Sequence, residues 1–155
     1  TDLVHLLQPF NCRILICDLL DKSVVVDTYG VTQVYREELL AEADIVSLHV
    51  PLTELTQSMV NDEFLRKMKP TAYLINNSRG PVVNQQDLKN ALQRKSIAGA
   101  ALDVYESEPP NDLEFLSLPN LMVTPHIGGN AEEAVLAMGR SAIGHLENYF
   151  LNQNR

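Results

Sequence analysis

Three short polar islands, each directly behind an apolar run, limit what this chain can fold into. They are Asn76-Asn77-Ser78-Arg79-Gly80, Leu102-Asp103-Val104-Tyr105-Glu106-Ser107-Glu108-Pro109 and Thr124-Pro125-His126-Ile127-Gly128-Gly129. The runs that lead into them, Ala72–Ile75, Ile97–Leu102 and Leu121–Val123, read as buried strands. Helical stretches separate these runs, and strands alternating with helices mean a parallel α/β fold. In such a sheet, ligands bind beyond the carboxyl ends of the strands. An Arg, a Glu and a His therefore leave three strands on one edge. That is the layout of an active site.

The rest of the chain fits this frame. Leu3, Leu6 and Leu7 have helical spacing over Asp2–Gln8, and Pro9 stops that helix. Cys12–Cys17 has the length and composition of a strand, with Asp18 at its end. Ser23–Val31 is ambiguous, with Val24–Val26 as a candidate strand, and Tyr29-Gly30 marks a turn. Tyr35–Ala43 reads as a helix and Ile45–Val50 as a buried strand ended by Pro51. Asn61 and Asn84 suit helix N-caps, and Val83 with Leu88 suits a hydrophobic staple. Asp112–Leu116 reads as one helical turn. Asn130 and Glu133 resemble a capping box for a last helix, which carries Ala134, Met138, Ala142, His145 and Tyr149 on one stripe.

Composition excludes several partners. A formal net charge of −8 argues against nucleic acid or an anionic membrane, since both select basic surfaces. No apolar run approaches the length of a bilayer span, and no signal peptide is visible. No metal site is expected. Cys12 and Cys17 fall on opposite faces of one predicted strand, so they do not pair. They read as buried thiols in a reducing compartment, with the cytoplasm as the expected location.

The islands, in this order and joined to Asp44-Ile-Val-Ser-Leu-His-Val-Pro-Leu-Thr53, resemble the D-isomer-specific 2-hydroxyacid dehydrogenases. That family includes phosphoglycerate, glycerate/glyoxylate and D-lactate types, and the likeness covers nearly the whole chain. It implies NAD as cofactor and a Rossmann-like doubly wound parallel sheet. It implies direct hydride transfer between the nicotinamide and a small D-2-hydroxy or 2-keto acid, a phosphoglycerate-like one among the candidates.

The resemblance also implies roles for individual residues. Arg79 would hold the carboxylate and carbonyl of the keto acid, with its guanidinium as a bidentate fork; the plainer reading is a surface arginine in a local ion pair. His126 would be the general acid/base, the alternative being a structural histidine. Glu108 would hydrogen-bond His126 and stabilise its imidazolium; it corresponds to a glutamine in a formate-dehydrogenase branch, so formate is disfavoured. Glu106 competes for this role, and Pro109 favours Glu108.

For the cofactor, Asp18 would accept hydrogen bonds from the adenosine ribose and repel a 2′-phosphate, favouring NAD over NADP. Its neighbour Asp21 is a rival, and a plain turn role is the alternative. Val50 and Pro51 would line the adenine side. Asn77, Ser78, Gly128 and Gly129 would present main-chain groups around the nicotinamide, which Asp103 would also approach, and Arg79 and His126 count among the cofactor-binding residues as well. His49 is expected near the cofactor, and His5 and His145 are expected to be structural. Asn76-Asn77 departs from the usual Asn-Thr or Asn-Cys.

Family members carry a G-x-G-x-x-G turn and a first sheet strand before the segment matching Thr1–Phe10. Neither is within these 155 residues, and a substrate-domain sequence would precede them. The sheet is therefore expected to lack its first, central strand, leaving a gap between Cys12–Cys17 and Ile45–Val50. Residues 1–129 are expected to form a partial dinucleotide-binding domain, and 130–155 a helix crossing to a substrate domain. A homodimer, or association with a preceding part, would cover the open edges. Two other functions fit the same residues: an NAD(H)-sensing, corepressor-like binding protein, and an inactive fragment serving as an interaction module.

Overall fold

Six strands, all parallel, fall into two sheets among the residues that the structure, a computed structural model, describes: 2–153. In chain order, helix α1 (Asp2–Leu7) runs through a 3-10 turn at Gln8–Phe10 into β1 (Leu15–Ile16). Helix α2 (Ser23–Tyr29) and β2 (Thr32–Gln33) follow, and β2 pairs with β1 in a two-stranded sheet. Then come α3 (Arg36–Glu42), β3 (Ile45–Leu48), α4 (Asp62–Lys67), β4 (Tyr73–Asn76), α5 (Gln85–Gln93), β5 (Gly99–Leu102), α6 (Leu113–Leu116), β6 (Leu121–Val123) and α7 (Glu132–Gln153).

Strands β3–β6 form a four-stranded sheet in sequence order, with Leu48, Asn76 and Leu102 in register at their carboxyl ends. Among the described residues the two sheets are not joined, and no strand pairs β1 with β3. Alternating strands and helices with crossovers make this an α/β, Rossmann-like fold.

The core lies in the larger unit. Leu74 of β4 is fully buried, as are Leu88 and Ala91 of α5, Phe115 of α6, Ile97 and Val60. Three helix starts there, those of α4, α5 and α6, are capped by the residue their sequence offers. The Oδ1 atoms of Asn61, Asn84 and Asp112 accept from the backbone N–H of Phe64, Asp87 and Phe115, each at 3.0 Å. Such caps stabilise a helix by about 1 kcal/mol each. Val83 and Leu88 are both buried at the start of α5, as a staple requires.

Lys89, 8% exposed, ties α5 to α6 through Asp112 (2.8 Å) and Glu114 (2.9 Å). The hydrogen bond it donates to Asp112 is the first cause that raises its pKa, so the ammonium stays charged in its partly covered position.

Elsewhere the structure corrects the sequence reading. Val24–Val26 lies in helix α2, not a strand, and Gly30 is its left-handed C-cap (φ +65°) with its N–H on the Val26 carbonyl. The Asp21 carboxylate begins this helix by accepting the Ser23 N–H at 3.0 Å. Cys12 and Cys17 are exposed, not buried. Strand β1 is only two residues long and has only β2 beside it among the described residues, so no layer covers the two thiols.

Helix α7 starts at Glu132, so Glu133 of the expected capping pair already lies inside it, and the Val135 N–H closes its first turn on the Ala131 carbonyl. Its expected stripe is left largely exposed, with Met138 and Tyr149 at 58% and 57%. Among the described residues, no helix is long and apolar enough to cross a membrane.

Candidate active site

Strand β4 ends at Asn76, whose side chain is 1% exposed. The following turn is wound around that buried amide. Nδ2 donates to the Arg79 carbonyl at 3.0 Å, and Oδ1 accepts the Ser78 N–H (3.1 Å) and hydroxyl (2.9 Å). The turn leaves Arg79 exposed, its Nη1 donating to the Ser78 carbonyl at 2.6 Å. Gly80 then passes so close to the second island that a Cβ there would stand 1.8 Å from the Tyr105 carbonyl oxygen. Only glycine fits.

Strand β5 delivers Asp103, which is 9% exposed. Its carboxylate reaches under the third island and accepts from Thr124 Oγ1 (2.6 Å), the Ile127 N–H (2.9 Å) and the Gly128 N–H (2.8 Å). Burial alone would raise its pKa, but these three donors outweigh it and hold the carboxyl below its ordinary value. Asp103 therefore stays ionised. It fixes the backbone on both sides of His126.

Strand β6 ends at Val123, and the Thr124 N–H still bonds the Leu102 carbonyl at 3.0 Å. His126 follows with φ +54°, a left-handed conformation uncommon outside glycine. Such conformations persist where surrounding bonds over-determine them, and here Asp103 supplies those bonds. The result aims the ring at Glu108: Nδ1 lies 2.7 Å from Oε2, while Oε1 accepts the Tyr105 N–H at 3.1 Å. His126 first, and the Tyr105 N–H second, lower the Glu108 pKa. An ionised carboxylate only accepts, so Nδ1 carries the proton and Nε2 is the atom left for a ligand. Glu106 is exposed, and Glu108 is the one that meets His126.

On the same edge, an open cleft of about 580 Å³ lies between His49, Val50, Pro51 and Leu52 on one side and Asn77, Ser78 and Arg79 on the other. This brings five of the expected cofactor residues together; Glu108 and His126 lie outside its lining. Its size is within the range of small-molecule sites. His49 Nε2 is 2.9 Å from Ser47 Oγ, and burial lowers its pKa. Ser78 and Gly128 have their N–H groups turned inward to Asn76 and Asp103, so what they can offer a ligand is their carbonyls. Gly129 faces open space.

Asp18 sits apart, just past β1 on the smaller sheet. Its carboxylate accepts the Leu20 N–H (2.9 Å), the first cause of its lowered pKa, and pairs with Lys22 (3.0 Å). Its rival Asp21 is engaged with Ser23. An ionised acceptor at a strand end, an apolar wall at Val50 and Pro51, and exposed main chain at Asn77 suit ribose, base and amide groups. The donor set fits a dinucleotide.

Asn76, Thr124, Tyr105 and Gln33 build these sites without having been singled out in the sequence. Gln33 spans the Asp18 loop, with Nε2 donating to the Leu20 carbonyl (3.0 Å) and Oε1 accepting the Lys22 N–H (2.9 Å). The one legible signal was Asn76-x-Ser78, an Asx-turn pattern.

Residues 1–128 match the model of the D-isomer specific 2-hydroxyacid dehydrogenase family, NAD binding domain. The chain is 48% identical over 127 residues to a glyoxylate reductase of Korarchaeum cryptofilum, covering 81% of this chain and 38% of that protein. A Pyrococcus furiosus glyoxylate reductase is 47% identical over 131 residues, 84% of this chain and 39% of that protein. Among solved structures, the NAD-complexed D-isomer specific 2-hydroxyacid dehydrogenase of Lactobacillus delbrueckii ssp. bulgaricus superposes with a TM-score of 0.84 at 29% identity. That match covers 96% of this chain and 49% of the other. The chain thus spans less than half the length of these relatives.

Proposed function

The chain belongs to the D-isomer-specific 2-hydroxyacid dehydrogenase family, matching its NAD-binding domain, and from that premise we propose that it serves an NAD-dependent reduction of a small 2-keto acid to its D-2-hydroxy acid. The observation that carries this reading is the 2.7 Å contact of His126 Nδ1 with Glu108, on the sheet edge that also displays Arg79. NAD supplies the hydride carrier when bound. Asp18, Val50, Pro51, Asn77, Ser78, Asp103, Gly128 and Gly129 are the residues we assign to holding it.

The chain's own part is binding, orientation and proton transfer. Arg79 grips the substrate carboxylate with two parallel N–H donors, a geometry lysine lacks. In reduction, His126 Nε2 gives its proton to the oxygen on C2; in oxidation it takes that proton back. Glu108 holds the ring in one tautomer and stabilises the imidazolium before transfer.

Glyoxylate, named in the relatives above, is the first substrate to test; a phosphoglycerate-type acid is second. We further propose that residues 1–129 act as the dinucleotide-binding unit and that α7, within segment 130–155 whose last two residues lie outside the described ones, crosses to a substrate domain or to a second copy. The uncovered apolar residues of α7 support this. Two free thiols, Cys12 and Cys17, suit a reducing cytoplasm.

The test is NADH consumption by the protein as isolated, against glyoxylate, pyruvate, hydroxypyruvate and 3-phosphohydroxypyruvate, with chiral analysis of the product. NADH-linked formation of a D-acid is expected. Tight NADH binding with no turnover on any of them would overturn the proposal in favour of a sensor.

A further inference from the structure

The three islands meet at Tyr105, a residue that the mechanism above does not use. Glu108 and His126 are themselves exposed, at 38% and 50% of their side chains. Packing around the pair does not set its geometry, and an exposed ion pair does little to hold two loops together. Their separation must come from where each loop is anchored.

Tyr105 is common to those anchors. Its backbone N–H donates to Glu108 Oε1 at 3.1 Å. Its hydroxyl lies 2.7 Å from the Thr124 carbonyl and 3.4 Å from the Leu102 carbonyl. A hydroxyl has one proton, and the shorter contact takes it, two residues before His126. Its own carbonyl oxygen is the atom that a side chain at Gly80 would strike, one residue after Arg79. The ring is 6% exposed, and burial is the first cause that raises the phenol pKa, so the group remains a donor.

We propose that Tyr105 is a positioning residue that sets the spacing between Glu108 and His126, through its backbone on one side and its phenol on the other. This rests on the reading of His126 and Glu108 as the proton-transfer pair. Asp103 fixes the conformation of the His126 turn, whereas Tyr105 fixes where that turn stands relative to Glu108.

The test is Tyr105→Phe, which keeps the ring and removes only the donor. The readout is the titration of the Glu108 carboxyl followed by carbon-13 NMR, with His126→Ala as the reference for a lost partner. Glu108 in the wild-type chain titrates below an ordinary carboxylate, and in Y105F it is expected to move up toward the H126A value. A Y105F protein whose Glu108 titrates as in the wild type would overturn the proposal, whatever its thermal midpoint. If Y105F does not fold, 3-fluorotyrosine at position 105 keeps the donor. Its fluorine resonance should then follow the Glu108 titration, and a resonance indifferent to it would overturn the proposal equally.

Turnover separates this from the function itself. An inactive wild type refutes the enzyme reading and leaves the titration to judge Tyr105. With an active wild type, Y105F should lose up to about 10²-fold in kcat with little change in KM, the scale expected of a displaced proton donor. Unchanged kcat would count against it.

Discussion

The β3–β6 unit and the segments flanking it obey the same rules with opposite results. In the first, β3, β4 and β5 feed one buried core, and Leu74, Leu88, Phe115 and Val60 are fully buried. In the second, β1 and β2 are two residues long, Leu19 is 93% exposed, and α7 leaves Leu146 and Tyr149 more than half exposed. Arg79, Glu108 and His126 all stand on the packed unit, at the ends of β4, β5 and β6. Groups that must be held to within fractions of an ångström are borne by the rigid half. The surfaces left open are those we assign to other parts of the assembly.

Substitutions can break this contrast. The largest effect is expected from Phe115→Ala, which empties a fully buried site and should cost about 3–5 kcal/mol in urea unfolding. Gly80→Ala should cost roughly 3 kcal/mol, because the new Cβ meets the Tyr105 carbonyl, a backbone atom that has no rotamer to move. A thermal midpoint within a degree of wild type would refute that close approach.

Asp103→Asn comes next, at about 2 kcal/mol, through weakened bonds to Thr124, Ile127 and Gly128. It also sharpens the contrast with pH. The folded pKa values of Asp103 and Glu108 are depressed, so the stability they confer is present above the ordinary carboxylate pKa and fades as pH falls through the lowered values. Urea midpoints measured from neutral to acid pH should fall in the wild type and fall less steeply in D103N. Identical slopes would remove Asp103 from the account.

The smallest effect is expected at the rim. Leu146→Ala on α7 should change the stability of the isolated chain by no more than about 0.5 kcal/mol, since 59% of that residue is already in solvent. A loss of several kcal/mol would mean that α7 is covered.

The same contrast explains what could be read from the sequence. Asn61, Asn84 and Asp112 announced their helices because capping is local chemistry, and the strands of the core announced themselves by continuous apolar runs. The pairing of Glu108 with His126 was legible through family resemblance.

At the rim the local signals competed. Three valines favour a strand, yet Asp21 and Gly30 bracket them as a helix start and stop, and the brackets won. Burial of Cys12 and Cys17 was inferred from the apolar run between them, but a two-stranded sheet has no layer to bury them. Tyr105 went unread for a different reason. Its hydroxyl reaches the Thr124 carbonyl beyond the next strand, which spacing along one strand does not reveal.

The central claim is that the packed sheet edge holds a working proton-transfer pair. NADH consumption with glyoxylate, measured side by side for the protein as isolated and for His126→Ala, tests it most directly. The account predicts a loss of about 10²–10⁴-fold in kcat, with the thermal midpoint little changed because the ion pair with Glu108 is solvent-exposed and worth little. A H126A protein that turns over glyoxylate at the wild-type rate would contradict it.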